Sequence, residues 1–148
     1  MKETSSSLGV RAIVGIYREF EQATRGSDLS LAQYRLLFYL KKGPQRAGAI
    51  AAAGALSKPT VSLTINALRE KGWVKSVPDP DGRVAMIKIT PAGEKRMTRF
   101  ESDLARAMES TMNSEEAAVF YEALKRAYYA MAVSWEDRLK AIEQSLIE

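Results

Sequence analysis

Residues 57–93 read SKPTVSLTINALREKGWVKSVPDPDGRVAMIKITPAG. Within them Val61, Ile65 and Leu68 fall at i, i+4 and i+7, one apolar stripe of a helix, and Gly72 stands where a terminating glycine belongs. Ser57 supplies an N-cap, and Pro59 is tolerated in a first turn that has no intrahelical donors to lose. After Gly72 the texture changes. Two β-rich segments, Trp73 to Val77 and Val84 to Ile89, flank Pro78-Asp79-Pro80-Asp81-Gly82-Arg83, a run of turn formers ending in a cation. A helix followed by a hairpin with a charged tip is the outline of a winged helix-turn-helix. In that arrangement the helix enters a DNA major groove and the hairpin lies along the flanking backbone.

Upstream, Ser30 and Gln33 form an S-x-x-Q capping box that opens a helix from Leu31 to Lys42, stopped by Gly43-Pro44. Alanine-rich sequence around Ile50 predicts a short helix from Ala47 to Ala53, joined through Gly54-Ala55-Leu56 to the segment at Ser57. Before these, Ile13, Ile16, Tyr17 and Phe20 recur at helical spacing from Leu8 to a stop at Gly26, behind a serine-rich start, residues 1–7, expected to fray. Downstream, Thr90-Pro91 starts a helix through Met97, Phe100, Leu104 and Met108 that is expected to end near Asn113. Ser114 is the expected cap of a last helix through Leu124, Tyr128, Met131, Trp135, Leu139, Ile142 and Leu146, with no Gly or Pro to interrupt it. Such a length exceeds that of ordinary globular helices and calls for packing beyond its own small domain. The expected fold class is mainly α (α+β). A winged helix-turn-helix lobe, residues 29–93, lies between an N-terminal helix, 1–28, and C-terminal helices, 94–148.

The 148 residues are 46% apolar, enough for one compact domain or a small domain with an oligomerisation arm. Residues 1–100 hold 17 Lys and Arg against 8 Asp and Glu, whereas residues 101–148 hold 5 against 10. Residues 41–99 hold 12 against 4, so the positive charge is concentrated on the segment proposed to meet DNA; a solvated lysine-rich face is the competing explanation. Cysteine and histidine are absent, which removes disulfides, thiol switches, Cys/His zinc sites and every dyad that needs imidazole or thiolate. Glu115 and Glu116 sit at a helix start, where a favourable interaction with the helix dipole accounts for them. No enzyme and no cofactor are expected. The Asp-Pro-Asp-Gly run reads as a turn, with too few oxygen ligands for calcium. No signal-peptide core and no run of about 18 apolar residues occurs, so a cytoplasmic protein is expected, without a membrane partner.

The chain resembles the MarR (multiple antibiotic resistance regulator) transcription factors along nearly its whole length. The matching residues are Leu29-Ser30 with Gln33 and Leu37, Ile50-Ala51, and Ser57 with Pro59, Thr60, Val61, Ser62 and Leu68. Lys71-Gly72-Trp73-Val74 follows, then Asp79, Asp81 and Arg83, and Ile89-Thr90 with Gly93. The resemblance implies a homodimer whose terminal helices interlock, with two winged lobes on a pseudo-palindromic operator. The two recognition helices would occupy successive major grooves, about 34 Å apart. It also implies a repressor released by a small ligand. Control by cysteine oxidation, used by some relatives, is excluded here for want of a cysteine. A winged-helix dimer acting as a protein-interaction scaffold without an operator is the alternative.

On the expected recognition helix, Val61, Ile65 and Leu68 face inward and leave Lys58, Pro59, Thr60, Ser62, Leu63 and Asn66 toward the groove. Lys58 suits a phosphate, Thr60 and Ser62 suit phosphates or bases, and Asn66 suits adenine; an ordinary polar helix face is the competing explanation. Leu63 departs from relatives that carry a polar group there, and an aliphatic chain can touch a thymine methyl but cannot donate to guanine. Arg83 resembles the family's minor-groove arginine, with Asp81 to orient it or fix the turn. Tyr17, Tyr34, Phe38, Phe100 and Met108 lie on the first, second and fifth helices, where relatives open a small-ligand cleft suited to an aromatic or anionic effector. Hydrophobic core and dimer packing compete for each of these residues. Arg18 and Arg35 are the cations nearest to hand for an effector carboxylate.

Overall fold

The computed structural model describes residues 3–54, 56–82 and 84–145, with side chains as far as residue 132. The elements run α1 (Ser5–Thr24), α2 (Leu31–Leu40), α3 (Ala47–Gly54), α4 (Lys58–Glu70), β1 (Val74–Val77), β2 (Met86–Ile89), α5 (Pro91–Glu109) and α6 (Ser114–Ser145). It is the mainly helical, winged helix-turn-helix order expected from the sequence.

Local capping sets most of these boundaries. Ser30 accepts from the Gln33 amide while the Gln33 side chain accepts from the Ser30 amide, so both halves of the capping box form. Ser57 caps α4 with Pro59 in its first turn, and Thr90 caps α5 ahead of Pro91. At the N-terminus the sequence expectation fails. Thr4 accepts from the Ser7 amide, and the serines expected to fray form the first turn of α1, because a threonine cap satisfies an amide that would otherwise be orphaned. The junction of the last two helices also differs. α5 stops at Glu109, short of Asn113, and the cap of α6 is Asn113 itself, whose Oδ1 accepts from the Glu116 amide while Glu116 accepts from the Asn113 amide. α6 is continuous over 32 residues, a length of about 48 Å. Of its expected apolar series, Trp135, Leu139 and Ile142 have side chains outside the described set, and Leu146 lies outside the described residues.

The core lies where α2, α4, the hairpin and α5 converge. Leu29, Leu37, Leu40, Leu68, Met97 and Val61 are almost wholly buried, and burial of each large aliphatic side chain contributes about 1.5–3 kcal/mol. α1 is different. No residue of it is buried, and it rests along α5 with Phe20 half-buried against the core.

The two strands pair antiparallel, Val74 opposite Ile89 and Val77 opposite Met86. Gln45, in the α2–α3 connection, adds a third rung by exchanging hydrogen bonds of 2.9 and 2.8 Å with Ile87. The start of α5 is fastened to the α4–β1 turn. Thr90 Oγ1 accepts from the Gly93 amide at 3.1 Å and donates to the Gly72 carbonyl at 2.7 Å, and the Thr90 amide donates to the Trp73 carbonyl at 3.0 Å. Gly93 is required there. A Cβ at that position would sit 2.2 Å from the Trp73 carbonyl oxygen.

Candidate nucleic-acid interface

The α4 stripe of Val61, Ile65 and Leu68 is buried, which turns the opposite face outward. Lys58, Pro59, Thr60, Ser62, Leu63 and Asn66 are all exposed. Pro59, Ser62, Leu63 and Asn66 share one face, since they stand at i, i+3, i+4 and i+7. Leu63 is 72% exposed, an aliphatic chain in water at the centre of that face. Two of these groups are already engaged. The Thr60 hydroxyl lies 2.7 Å from the Ser57 hydroxyl within the cap. The Asn66 Oδ1 accepts from Arg69 Nη1 at 2.9 Å, so reading adenine with both ends of the amide would require that bond to be shared or broken. Arg69 also donates to Ser76 Oγ at 3.1 Å, tying the end of α4 to β1. A cation in the last turn of a helix is favourable with the helix dipole.

The hairpin turn is built around a buried carboxylate. Asp79 Oδ1 accepts from the Asp81 amide at 3.1 Å, and the Asp79 carbonyl accepts from the Gly82 amide at 2.9 Å. Gly82 takes φ 69°, a conformation that favours glycine. It is thus Asp79, not the Asp81 side chain, that bonds the backbone of the turn. The carboxylates of Asp81 and Asp79 are both held by Arg46, the residue immediately before α3. Arg46 Nε donates to Asp79 Oδ2 at 2.7 Å and Nη2 reaches Asp81 Oδ2 at 3.1 Å. The hydrogen bond to Asp79 pushes the guanidinium pKa still higher. Arg83 lies outside the described residues.

Arg46 and Arg69 were missed from the sequence. The partners of Arg46 stand 33 and 35 positions away, beyond what periodicity can connect, whereas Arg69 bonds Asn66 three positions back, within reach of helical spacing, and Ser76 across the turn into β1.

Behind this face, Arg96 of α5 donates through Nε to Asp28 at 2.8 Å and through Nη2 to Ser27 at 3.0 Å, in the α1–α2 connection. Lys71 donates to the Asp28 carbonyl and lies 4.8 Å from the centre of the Trp73 ring. The Arg96 hydrogen bond lowers the Asp28 pKa below its ordinary 3.8.

The aromatic residues expected to line an effector cleft do not all meet. Tyr34 packs on Phe100 at 5.2 Å and on Phe38 at 6.3 Å between ring centres. Phe100 and Met108 are buried, while Tyr17 is more than half exposed on α1. The open cleft, about 380 Å³, instead lies between α2, α3 and α6. Tyr34, Phe38, Ile50, Leu56, Tyr128 and Met131 line it, with Arg35 and Lys42 also at its walls; Tyr17, Phe100, Met108 and Arg18 do not. The helices joined by an apolar gap are thus not the ones expected, because α1 runs along α5 and leaves the outer face of α2 to α3 and α6. The Tyr34 hydroxyl is bonded to Glu101 Oε1 at 2.9 Å, and burial, with Glu101 second, raises its pKa. Among the described residues no acidic cluster could hold a metal ion, and no helix is long and apolar enough to cross a membrane.

Three helices, a hairpin bridged to Gln45, and an outward-facing polar helix stripe beside that hairpin together define a winged helix-turn-helix protein. A family model described as "MarR family" matches residues 27–83. E. coli MarR in its apo form aligns over 86% of this chain and 98% of its own, with 18% identity and a TM-score of 0.62. A MarR family protein from Bacillus stearothermophilus aligns over 86% and 92%, with 18% identity and a TM-score of 0.67. An S. aureus MepR mutant bound to an oligodeoxyribonucleotide aligns over 88% and 99%, with 22% identity and a TM-score of 0.61. No curated protein sequence matches the chain. The match to the MarR family model spans residues 27–83, from the α1–α2 connection to the hairpin turn, and the chain shares the fold of these MarR family structures.

Proposed function

We propose that this chain is a sequence-specific DNA-binding transcriptional regulator that acts in the cytoplasm as a homodimeric repressor on a pseudo-palindromic operator. The observation that carries the proposal is the outward stripe of α4, from Lys58 to Asn66, set beside a charged hairpin on the basic portion of the chain. Lys58 neutralises phosphate, Ser62 and Thr60 meet phosphates or base edges, Leu63 meets thymine methyl groups, Asn66 lies toward the groove's edge, and Arg83 enters the minor groove. The oligonucleotide-bound MepR supports this reading by its fold.

Residues 1–28 and 94–148 serve dimerisation and residues 29–93 serve DNA. α1 exposes Leu8, Val10, Ile13 and Val14, and α6 exposes Val119, Leu124 and Tyr129, more apolar surface than a lone protomer would leave in water. The α2–α3–α6 cleft accepts a small aromatic anion, its ring against Tyr34, Phe38 and Tyr128 and its charge toward Arg35 or Lys42. Because α6 is one wall of that cleft, an occupant that moves it changes the separation of the two lobes and abolishes bivalent binding.

Selection of duplexes from a random pool by the purified protein, followed by titration at several salt concentrations, tests the proposal. It expects inverted repeats with half-sites about one helical turn apart and binding that weakens steeply with salt. Absence of any salt-sensitive duplex binding would leave the protein-scaffold alternative standing.

A further inference from the structure

We propose that Arg46 is the positioning residue of the wing, clamping Asp79 and Asp81 so that the hairpin turn has one conformation and its carboxylates do not repel a duplex. The inference rests on the DNA-binding reading above. Asp79 and Asp81 are two negative charges in a turn that would run beside phosphates. The Asp79 side chain is only 3% exposed, and that of Asp81 is 73% exposed. Arg46 reaches both carboxylates with one guanidinium, a planar group whose several donors suit two acceptors at once. A carboxylate as buried as Asp79 must be paired, and Arg46 is the cation that pairs it. Asp79 in turn holds the Asp81 and Gly82 amides, so the clamp propagates into the backbone of the turn.

The position of Arg46 gives the clamp its reach. Its carbonyl accepts the Ile50 amide at the start of α3, and its neighbour Gln45 is bridged to Ile87 of β2. The guanidinium therefore joins the turn of the hairpin to the helix that precedes the recognition helix. With this link intact, α4 and the wing move as one body. Without it, the turn keeps its internal bonds to Asp79 but loses this side-chain link to the start of α3, and an unmasked Asp81 faces the phosphates.

The test uses the full-length protein, a labelled mixed-sequence duplex read by fluorescence anisotropy, and amide exchange of Asp81 and Gly82 in the absence of DNA. Arg46→Ala is expected to weaken duplex binding about tenfold, the scale of a modest like-charge repulsion added to the disorder of a loosened turn. The slope of log affinity against log salt is expected to stay near that of the wild type, and Asp81→Asn on the Arg46→Ala background to recover most of the loss. The Asp81 and Gly82 amides are expected to exchange faster in Arg46→Ala. If leaving Asp79 unpaired unfolds that variant, Arg46→Ala with Asp79→Asn removes the buried charge, keeps the oxygen that accepts the Asp81 amide, and is expected to show the same loss of duplex affinity. Unchanged affinity in a folded Arg46 variant would overturn the proposal. So would a slope reduced by about 1.8, about 0.9 for each protomer of the dimer, with no recovery by Asp81→Asn, since that marks Arg46 as a plain phosphate ligand. A wild type that binds no duplex would end the DNA reading alone; the clamp would then be judged by amide exchange, faster exchange in Arg46→Ala sustaining it and unchanged exchange overturning it.

Discussion

Gly93→Ala should destabilise the protein, although the same change in an open helix would stabilise it. Alanine gains up to about 1 kcal/mol over glycine in a helix interior. Here the added Cβ would stand 2.2 Å from the Trp73 carbonyl oxygen and 2.9 Å from the Ile89 Cγ1. The carbonyl is main chain and cannot rotate aside. Relief requires α5 to withdraw from the α4–β1 turn by nearly an ångström, and overpacking of this kind costs about 1–3 kcal/mol. That withdrawal would also stretch the bonds from Thr90 to Gly72 and Trp73, each worth about 1 kcal/mol. The clash therefore outweighs the propensity gain, with a net loss of about 2 kcal/mol and a fall in Tm of about 4–8 °C for a chain of this size. Thermal unfolding followed by circular dichroism, at equal protein concentrations because an oligomer's Tm depends on concentration, measures it. A Tm equal to or above that of the wild type would refute the close packing of α5 on the turn.

Leu63→Ala should leave Tm within about 1 °C of the wild type, because the side chain is 72% exposed, while relaxing the preference for thymine in selected duplexes; an unchanged preference would remove Leu63 from base reading. Lys58→Ala, which removes one phosphate contact from each lobe of the dimer, should weaken binding to all duplexes alike and reduce the salt slope by about 1.8, and a sequence-dependent loss would argue for a base contact. Asp28→Asn should flatten the acid side of a Tm-against-pH curve. The folded pKa of Asp28 is lowered, first by its bond to Arg96, so its contribution is complete above the ordinary value of 3.8 and lost as pH falls through the folded value. The difference between Asp28→Asn and wild type should thus shrink below that window, and a difference independent of pH would place the effect elsewhere. Tyr34→Phe should remove an alkaline loss of stability. The raised Tyr34 pKa means the folded protein keeps a proton that the unfolded chain begins to release near the ordinary value of 10.0; melting curves above that pH should fall less steeply in the variant than in the wild type.

What was legible in the sequence was whatever is decided within a few residues. Ser30 with Gln33, Ser57 with Pro59, and Thr90 with Pro91 announce helix starts because a cap and its amide lie within one turn. The buried stripe of α4 was legible because Val61, Ile65 and Leu68 repeat with the helix. Thr4 and Asn113 carry the same kind of signal, but a serine run and a neighbouring Ser114 competed with each as the apparent boundary. What was not legible depended on where distant segments came to rest. Nothing local connects Gln45 to Ile87 or Arg46 to Asp79. Equally, helical spacing placed Tyr17, Tyr34 and Phe100 on apolar faces without saying that one would face solvent, one line a cleft, and one sit beneath it.

α1 has a further consequence for how the protein behaves at different abundances. α1 runs for 20 residues with no fully buried side chain and only Phe20 packed partly against the core of its own protomer, whereas most helical stability in proteins comes from the packing of an apolar face. If a second copy covers Leu8, Ile13 and Val14, association and the ordering of α1 become one event. The pool of binding-competent protein then rises with the square of total concentration when copies are scarce, so halving synthesis removes about three quarters of the active species. A protein assembled this way reports its own abundance through the state of one helix.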